Sequence, residues 1–475
     1  MTGRRHRSRA VRGLGVPALI FAALVSVGCA YGPPSRAEVS PTAGAPQDAP
    51  VSQPVSQELA VQTFDSAWSR INASYYDPDF RGIDWAGVRD ELRPSVEGVT
   101  TRDELRSILR DMLSRLGESH FAIIPEERVD AIDVDEDGSS GAETSGTGDV
   151  GVEVRWVEGA LTVFRVRPGP AADAGVEAGW TVEKIGDRST DRWAEVIAES
   201  EAGRERVAVA FETMQGAASL MSGAVGSTVE MTLRDGAGQS HDITLERSPV
   251  RGQLVQFGAL PPIPSYLEYR RVERGGDCVG VIEFNIWMIP LVASFNEAVD
   301  ALADCQGMVI DLRGNLGGVG GMVMVTAGSF FGERAELGKV QSRAGELNFV
   351  AMPRQVDTSG ELRDAFEGPL ALLVDELSVS TSEIFAAGLR STGRARIFGQ
   401  TTPGYALPAM TLRLPTGDVL YHVVSNLTDP DGQRIEGAGV VPDQQIPLRR
   451  ATLLEGRDEV LEAAVAWALT SGGGP

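Results

Sequence analysis

Met308-Val-Ile-Asp-Leu-Arg-Gly-Asn-Leu-Gly-Gly318 and Leu370-Ala-Leu-Leu-Val-Asp-Glu-Leu-Ser-Val-Ser-Thr-Ser-Glu383 are the two stretches on which the fold turns. Each opens on a short apolar run, Met308–Leu312 and Leu370–Val374, of the length and bounding expected of a buried strand. Each then passes through small residues into a helix-forming segment. Val279–Phe284 reads as an earlier strand and Pro290–Ala303 as a helix, so the first stretch completes a βαβ unit with a parallel pair. Glycines between a strand end and a helix start leave backbone N–H groups free to meet an anion. That signal alone is weak, because many α/β turns carry glycine pairs. In the second stretch Ser378-Val-Ser-Thr-Ser-Glu383 precedes the helical run Ile384–Arg390, closed by Gly393. A serine there gains from the helix dipole when its oxygen carries charge, and the next N–H can donate to an oxyanion. The commoner use of such a serine is a plain N-cap.

Upstream, Phe64, Trp68, Ile71 and Tyr75 fall on one helical face. A second helix starts near Asp84-Trp85, and a third carries a capping box (Thr101, Glu104) and an apolar stripe from Leu105 to Leu116, ended by Gly117. Glu118-Ser119-His120 follows at once, so His120 stands just outside a helix terminus instead of in a core stripe. Residues 58–127 are thus expected to be a helical domain. The acidic linker 128–148 contains Asp133-Val-Asp135-Glu-Asp137-Gly138, which imitates the start of an EF-hand loop, but its twelfth position is Thr144 and flanking helices are missing. It reads as a solvated acidic loop. Residues 451–475 hold a last amphipathic helix, with Val460, Leu461, Ala464, Val465 and Ala468 on its apolar side.

The 475-residue chain suggests about three domains, and its 42% hydrophobic content supports a sizeable core. A formal charge of −23 argues against nucleic acid or anionic lipid as partner. The only lysines are Lys184 and Lys339, the only histidines His6, His120, His241 and His422, and the only cysteines Cys29, Cys278 and Cys305. A structural zinc site is therefore not expected. Arg4, Arg5, Arg7, Arg9 and Arg12 precede an apolar segment, Val16–Val27, that is too short to span a membrane comfortably. Residues 1–28 read as a signal peptide. Small residues before Cys29 resemble a bacterial lipoprotein signal, although Ser26 stands where an aliphatic residue is usual. Residues 29–57 form a proline-rich tether. The expected location is exported, at the bacterial cell envelope, with membrane contact only through a lipid on Cys29. Cys278 and Cys305 begin successive strands and read either as a disulfide or as two buried thiols.

Gly151-Val-Glu-Val154, Leu161–Val166, Pro170-Ala-Ala-Asp-Ala-Gly175, Gly179 and the strand Thr181–Ile185 together resemble a PDZ domain of the bacterial protease type over residues 149–250. Such a domain binds an extended peptide at a sheet edge. The resemblance puts the carboxylate-binding loop at Val150, Gly151 and Val152. Trp180 departs from the usual Asp, and Ala194–Gly226 is a long insertion able to cover the groove.

The order of helical domain, PDZ-like module, Asp311-Leu-Arg-Gly-Asn-x-Gly-Gly318, Ser378-x-Ser-x-Ser-Glu383 and Glu436-Gly-x-Gly-Val-Val-Pro-Asp443 resembles the carboxyl-terminal-processing (tail-specific) peptidases and their tricorn-core relatives. That resemblance implies a multi-domain α/β protein whose core, residues 251–450, is of the ClpP/crotonase-like α/β type. It aligns Ser380 with the nucleophile. Many relatives activate that serine with a lysine, but the corresponding position is Tyr405, and neither lysine of this chain lies in the motif. The tricorn-like branch uses a Ser-His pair and a Glu instead. Ser119-His120 and Glu436 stand at those places, with His120 as general base and His422 as its rival. Gly317 or Gly318, with Thr381, would supply the oxyanion N–H groups. The implied function is hydrolysis of peptide bonds in protein or peptide substrates through an acyl-enzyme, without metal or organic cofactor, with a homo-oligomer as a further expectation. Two other readings fit the same family resemblance: a catalytically silent peptide-binding scaffold and a ligand-binding relative.

Overall fold

The computed structural model describes residues 53–129, 146–200, 203–256, 260 and 262–471. The signal segment, Cys29, most of the tether and most of the acidic linker lie outside the described residues.

The centre of the molecule is a six-stranded sheet in the order Leu267–Arg274, Asp277–Phe284, Gly307–Asp311, Leu370–Val374, Arg396–Gly399, Gln444–Gln445. All neighbours run parallel except the edge strand Leu267–Arg274. The strands Gly307–Asp311 and Leu370–Val374 are buried at every position, as expected for parallel strands covered on both faces. Helices Leu291–Ala301, Met322–Ala327 and Thr381–Ser391 pack on one face, and Glu459–Ser471 on the other. The βαβ unit stands as expected, and Cys278 and Cys305 are joined in a disulfide. The C-terminal helix is divided. Arg450–Leu454 and Glu459–Ser471 are separate helices, with Gly456 at φ +69° between them.

Three helices, Gln57–Ser74, Trp85–Val96 and Arg102–Ser114, form the N-terminal layer around Phe64, Ile71, Trp85, Leu105 and Leu109. The Thr101–Glu104 capping box is formed. The third helix is shorter than its apolar stripe suggests: it ends at Ser114, and Leu116 is buried beyond it. Past Gly117 the chain reaches a three-residue strand, Ala122–Ile124. This strand pairs antiparallel with Val419–Val423, which in turn pairs with Ala409–Arg413. That strand and the buried Arg106–Asp418 ion pair (2.7 Å) join the N-terminal layer to the centre of the molecule.

A second sheet runs Val152–Val157, Ala160–Val166, Thr181–Ile185, Thr228–Arg234, Ser240–Glu246. The helix Asp191–Glu199 runs into the expected insertion, and the helix Arg204–Met221 within it lies against the edge strand, with Trp156 Nε1 donating to Thr213 Oγ1 (2.8 Å).

Candidate active site

The Ser380 turn is a strained strand-to-helix corner. Ser380 has φ +57°, a left-handed conformation that a non-glycine residue adopts only where its surroundings compel it. Two contacts hold it: the Ser380 N–H donates to the Tyr405 carbonyl (2.7 Å) and to Glu383 Oε2 (3.0 Å). Glu383 is fully buried. Its carboxylate also accepts from Gly404 N–H (2.7 Å), Tyr405 N–H (2.9 Å) and the Thr402 hydroxyl. Burial raises its pKa to about 7. The segment that ends at Tyr405 thus frames the serine through its backbone and the Thr402 hydroxyl.

His120 also has a left-handed backbone, φ +64°, in the turn between Gly117 and the strand Ala122–Ile124. Pairing of Ala122 with Tyr421 brings the imidazole across the boundary, where it stacks on the Tyr421 ring (centroids 5.9 Å apart). His120 Nε2 lies 3.5 Å from Ser380 Oγ. On its other side Nδ1 is 2.5 Å from Ser119 Oγ, which donates to Glu436 Oε2 (2.8 Å). Glu436 is anchored in turn by Ser119 N–H (3.0 Å) and Ala406 N–H (2.9 Å). Burial lowers the His120 pKa to about 3, so the ring is neutral at pH 7.

His422 is elsewhere. It is buried on the strand Val419–Val423, with Nδ1 3.3 Å from Ser74 Oγ, and burial lowers its pKa to about 4.

The two glycines of the Asn315-Leu316-Gly317-Gly318 turn have different tasks. The Gly317 N–H donates to Asn315 Oδ1 (3.0 Å), so it is not available to an oxyanion, which corrects the expectation for that residue. Its lack of a side chain is what matters, since a Cβ would sit 2.7 Å from Ser380 Cβ. Gly318 and Thr381 flank the serine with N–H groups that meet no protein acceptor among the described residues.

Val150, Gly151 and Val152 line a cleft of about 680 Å³ between the edge strand and the helix Arg204–Met221. Gly314, Leu316 and Leu377, from the two strand-to-helix turns, also line it. Gly151 does not offer the free donor expected of it: its N–H donates to Asp149 Oδ1 (2.8 Å), and its carbonyl accepts from Arg167 N–H (2.8 Å).

Sequence reading missed several residues that hold this site. Glu383 was visible as part of a motif, but its four donors were not. Glu118 and Arg434 gave no separate signal, because the partners that join them lie far apart in the chain.

A serine on a helix-initiating turn, an imidazole, a second hydroxyl and a carboxylate meet on an α/β core, an arrangement compatible with the serine-type peptidase class that the comparisons give. Residues 279–446 match peptidase family S41, and residues 60–114 match the tricorn protease C1 domain. The carboxyl-terminal-processing peptidase 2 of Arabidopsis thaliana chloroplasts is 25% identical over 414 residues, which cover 84% of this chain and 71% of the relative. Tricorn protease homolog 1 of Streptomyces coelicolor is 24% identical over 434 residues, covering 86% of this chain but 35% of that longer protein. Among solved structures, the photosystem II D1 C-terminal processing protease matches the fold with a TM-score of 0.54 at 21% identity, covering 86% of this chain and 97% of the other. The part of the chain that carries the serine turn and the central sheet is thus similar to peptidase family S41.

Proposed function

We propose that this chain hydrolyses peptide bonds by acyl transfer through Ser380, with His120 as general base and Ser119 linking the imidazole to Glu436. One observation carries the reading: the unbroken contact series Ser380–His120–Ser119–Glu436, assembled from three segments distant in sequence. The Ser119 hydroxyl has one proton, and it goes to Glu436. Ser119 Oγ therefore accepts from Nδ1–H, which leaves Nε2 unprotonated and facing Ser380. Nε2 takes the serine proton as Oγ attacks the scissile carbonyl, then returns it to the leaving amine. Glu436 stabilises the imidazolium formed between those steps. The N–H groups of Gly318 and Thr381 receive the oxyanion, and the dipole of the helix Thr381–Ser391 favours the charge.

The sheet module acts as a PDZ-like receptor in this reading. A substrate strand adds to the edge Val152–Val157 and runs through the cleft towards Ser380, with cleavage near the substrate C-terminus, as the relatives' names suggest. Export is part of the proposal. The Cys278–Cys305 bridge supports an oxidising compartment, and mass spectrometry of the mature N-terminus reads whether Cys29 carries lipid.

The test is labelling with a serine-directed fluorophosphonate. The wild-type protein is expected to label at Ser380, and Ser380→Ala and His120→Ala are each expected to abolish labelling while retaining the native circular dichroism spectrum. A folded wild-type protein that resists the reagent overturns the proposal.

A further inference from the structure

Two residues before His120, a carboxylate that neither proton transfer nor oxyanion binding uses is enclosed by donors. The Glu118 side chain is only 1% exposed. It accepts from Tyr75 Oη (2.6 Å), Tyr76 Oη (2.8 Å), Arg81 Nη1 (2.8 Å) and Arg434 Nη2. Tyr75, Tyr76 and Arg81 belong to the N-terminal layer. Arg434 belongs to the central part and is itself fixed by Asn426 Oδ1 (2.9 Å) and by Tyr76 Oη (3.1 Å). Burial raises the pKa of both tyrosines, that of Tyr76 to about 12, so both remain hydroxyl donors.

The pattern along the two chains is the informative part. Glu118 meets Arg434, and Ser119 meets Glu436. The dipeptide that carries the imidazole and the segment that carries its carboxylate are therefore clamped at two adjacent points. The inner point is the relay contact itself. The outer point is an ion pair whose acid has no other cation from the central part among the described residues.

We propose that Glu118 and Arg434 are positioning residues for the peptidase reaction: their ion pair sets the approach of Ser119-His120 to Glu436, and through it the separation of His120 Nε2 from Ser380 Oγ. This rests on the catalytic reading above. A buried carboxylate with four donors has little freedom, and the left-handed His120 backbone needs a neighbour that compels it. Ser119 holds Glu436 through its N–H and its hydroxyl, but both contacts come from one residue, and Glu118 adds the second anchor that keeps the turn from pivoting about it. Removing the charge from Glu118 leaves the Arg434 guanidinium without its carboxylate two residues from Glu436, and the outer clamp opens.

Glu118→Gln keeps the size and one acceptor oxygen of the side chain, and Arg434→Gln, on a partly exposed side chain, is the second variant should the first fold poorly. Both are measured by the second-order rate of fluorophosphonate labelling at Ser380. Each single variant is expected to label at least about tenfold more slowly, since displacements of about 1 Å at such sites cost up to 10²-fold. The double variant is expected to lose no more than the worse single one. In a Ser119→Ala background, where the relay is gone, Glu118→Gln is expected to cause no further loss, which a merely structural role would not produce. Wild-type rates in both single variants, or losses that multiply in the Ser119→Ala background, overturn the proposal. A crystal structure of Glu118→Gln separates this outcome from failure of the catalytic reading. If the wild-type protein does not label, that reading falls, and the positioning role stands or falls on whether the His120–Ser380 separation lengthens beyond 3.5 Å or stays as it is.

Discussion

A hydroxyl between an imidazole and a carboxylate has only one way to orient its proton, and this makes Ser119 more than a spacer. In Ser119→Ala the Nδ1 proton loses its acceptor, so the ring is free to take either tautomer, and half of its productive orientation is lost. The expected result is a fall in labelling rate of about 10²-fold or more with little change in stability, measured against Ser380→Ala as the zero. Burial of the two histidines has a further consequence. Both His120, lowered to about 3, and His422, lowered to about 4, are neutral in the folded chain but take up a proton near pH 6.5 once unfolded. Below pH 6.5 the unfolded chain binds more protons, so stability is full above that pH and is lost as the pH falls towards 4 and then 3. The slope is about 1.4 kcal/mol per pH unit for each ring. Burial of Glu376 and Glu383, both raised to about 7, acts in the opposite direction between pH 7 and 4.5, so the ring is read by difference: relative to the wild-type protein, His422→Asn should remove about 1.4 kcal/mol per pH unit of acid destabilisation in urea denaturation between pH 6.5 and 4, without abolishing Ser380 labelling.

The elements that carry the chemistry differ in how well the sequence announced them. The strand–turn–helix corners around Gly314–Gly318 and Ser378–Ser380 were readable because strand, small-residue turn and helix follow one another within about fifteen residues, and each has its own local pattern. The strand Ala122–Ile124 was not. Three residues show no periodicity, and its partner, Val419–Val423, lies some three hundred residues away. Yet it is this pairing that carries His120 to the serine. Ile123 and Ile124 are each 1% exposed on it. Ile123→Asp should therefore release the strand, seen as faster amide exchange at residues 122–124, and should suppress labelling although every catalytic side chain is intact. Gly317 was read for its N–H, whereas the structure uses its missing side chain. With φ +91° and Ser380 Cβ only 2.7 Å from where a Cβ would stand, Gly317→Ala should displace the serine and abolish labelling while the central sheet stays folded.

At the scale of the whole molecule, the sheet module is joined to the centre by buried charge. Arg155 reaches Asp375 (2.7 Å), with the two side chains 2% and 3% exposed, and Arg165 and Arg167 meet Glu283. Asp375 is shared: its Oδ1 accepts from Gly314 N–H (3.0 Å) and Leu377 N–H (3.0 Å), the entries to the two catalytic turns. A further tie comes from Arg450, which donates to the carbonyls of Gly179 (2.8 Å) and Asp235 (2.7 Å), and from Leu453, which packs on Val157 and Phe164. None of these ties has a local sequence pattern, because each is a pair of ordinary residues made special by desolvation. Their depth decides their worth. Arg155→Met leaves Asp375 buried without its cation and should cost about 3–5 kcal/mol in urea denaturation, with slower labelling of Ser380 as the turns loosen. Arg115 also makes a close pair, 2.9 Å from Glu91, but in solvent. Arg115→Ala should leave both the midpoint and the labelling rate unchanged, because water replaces at the surface what it cannot reach beneath the sheet module.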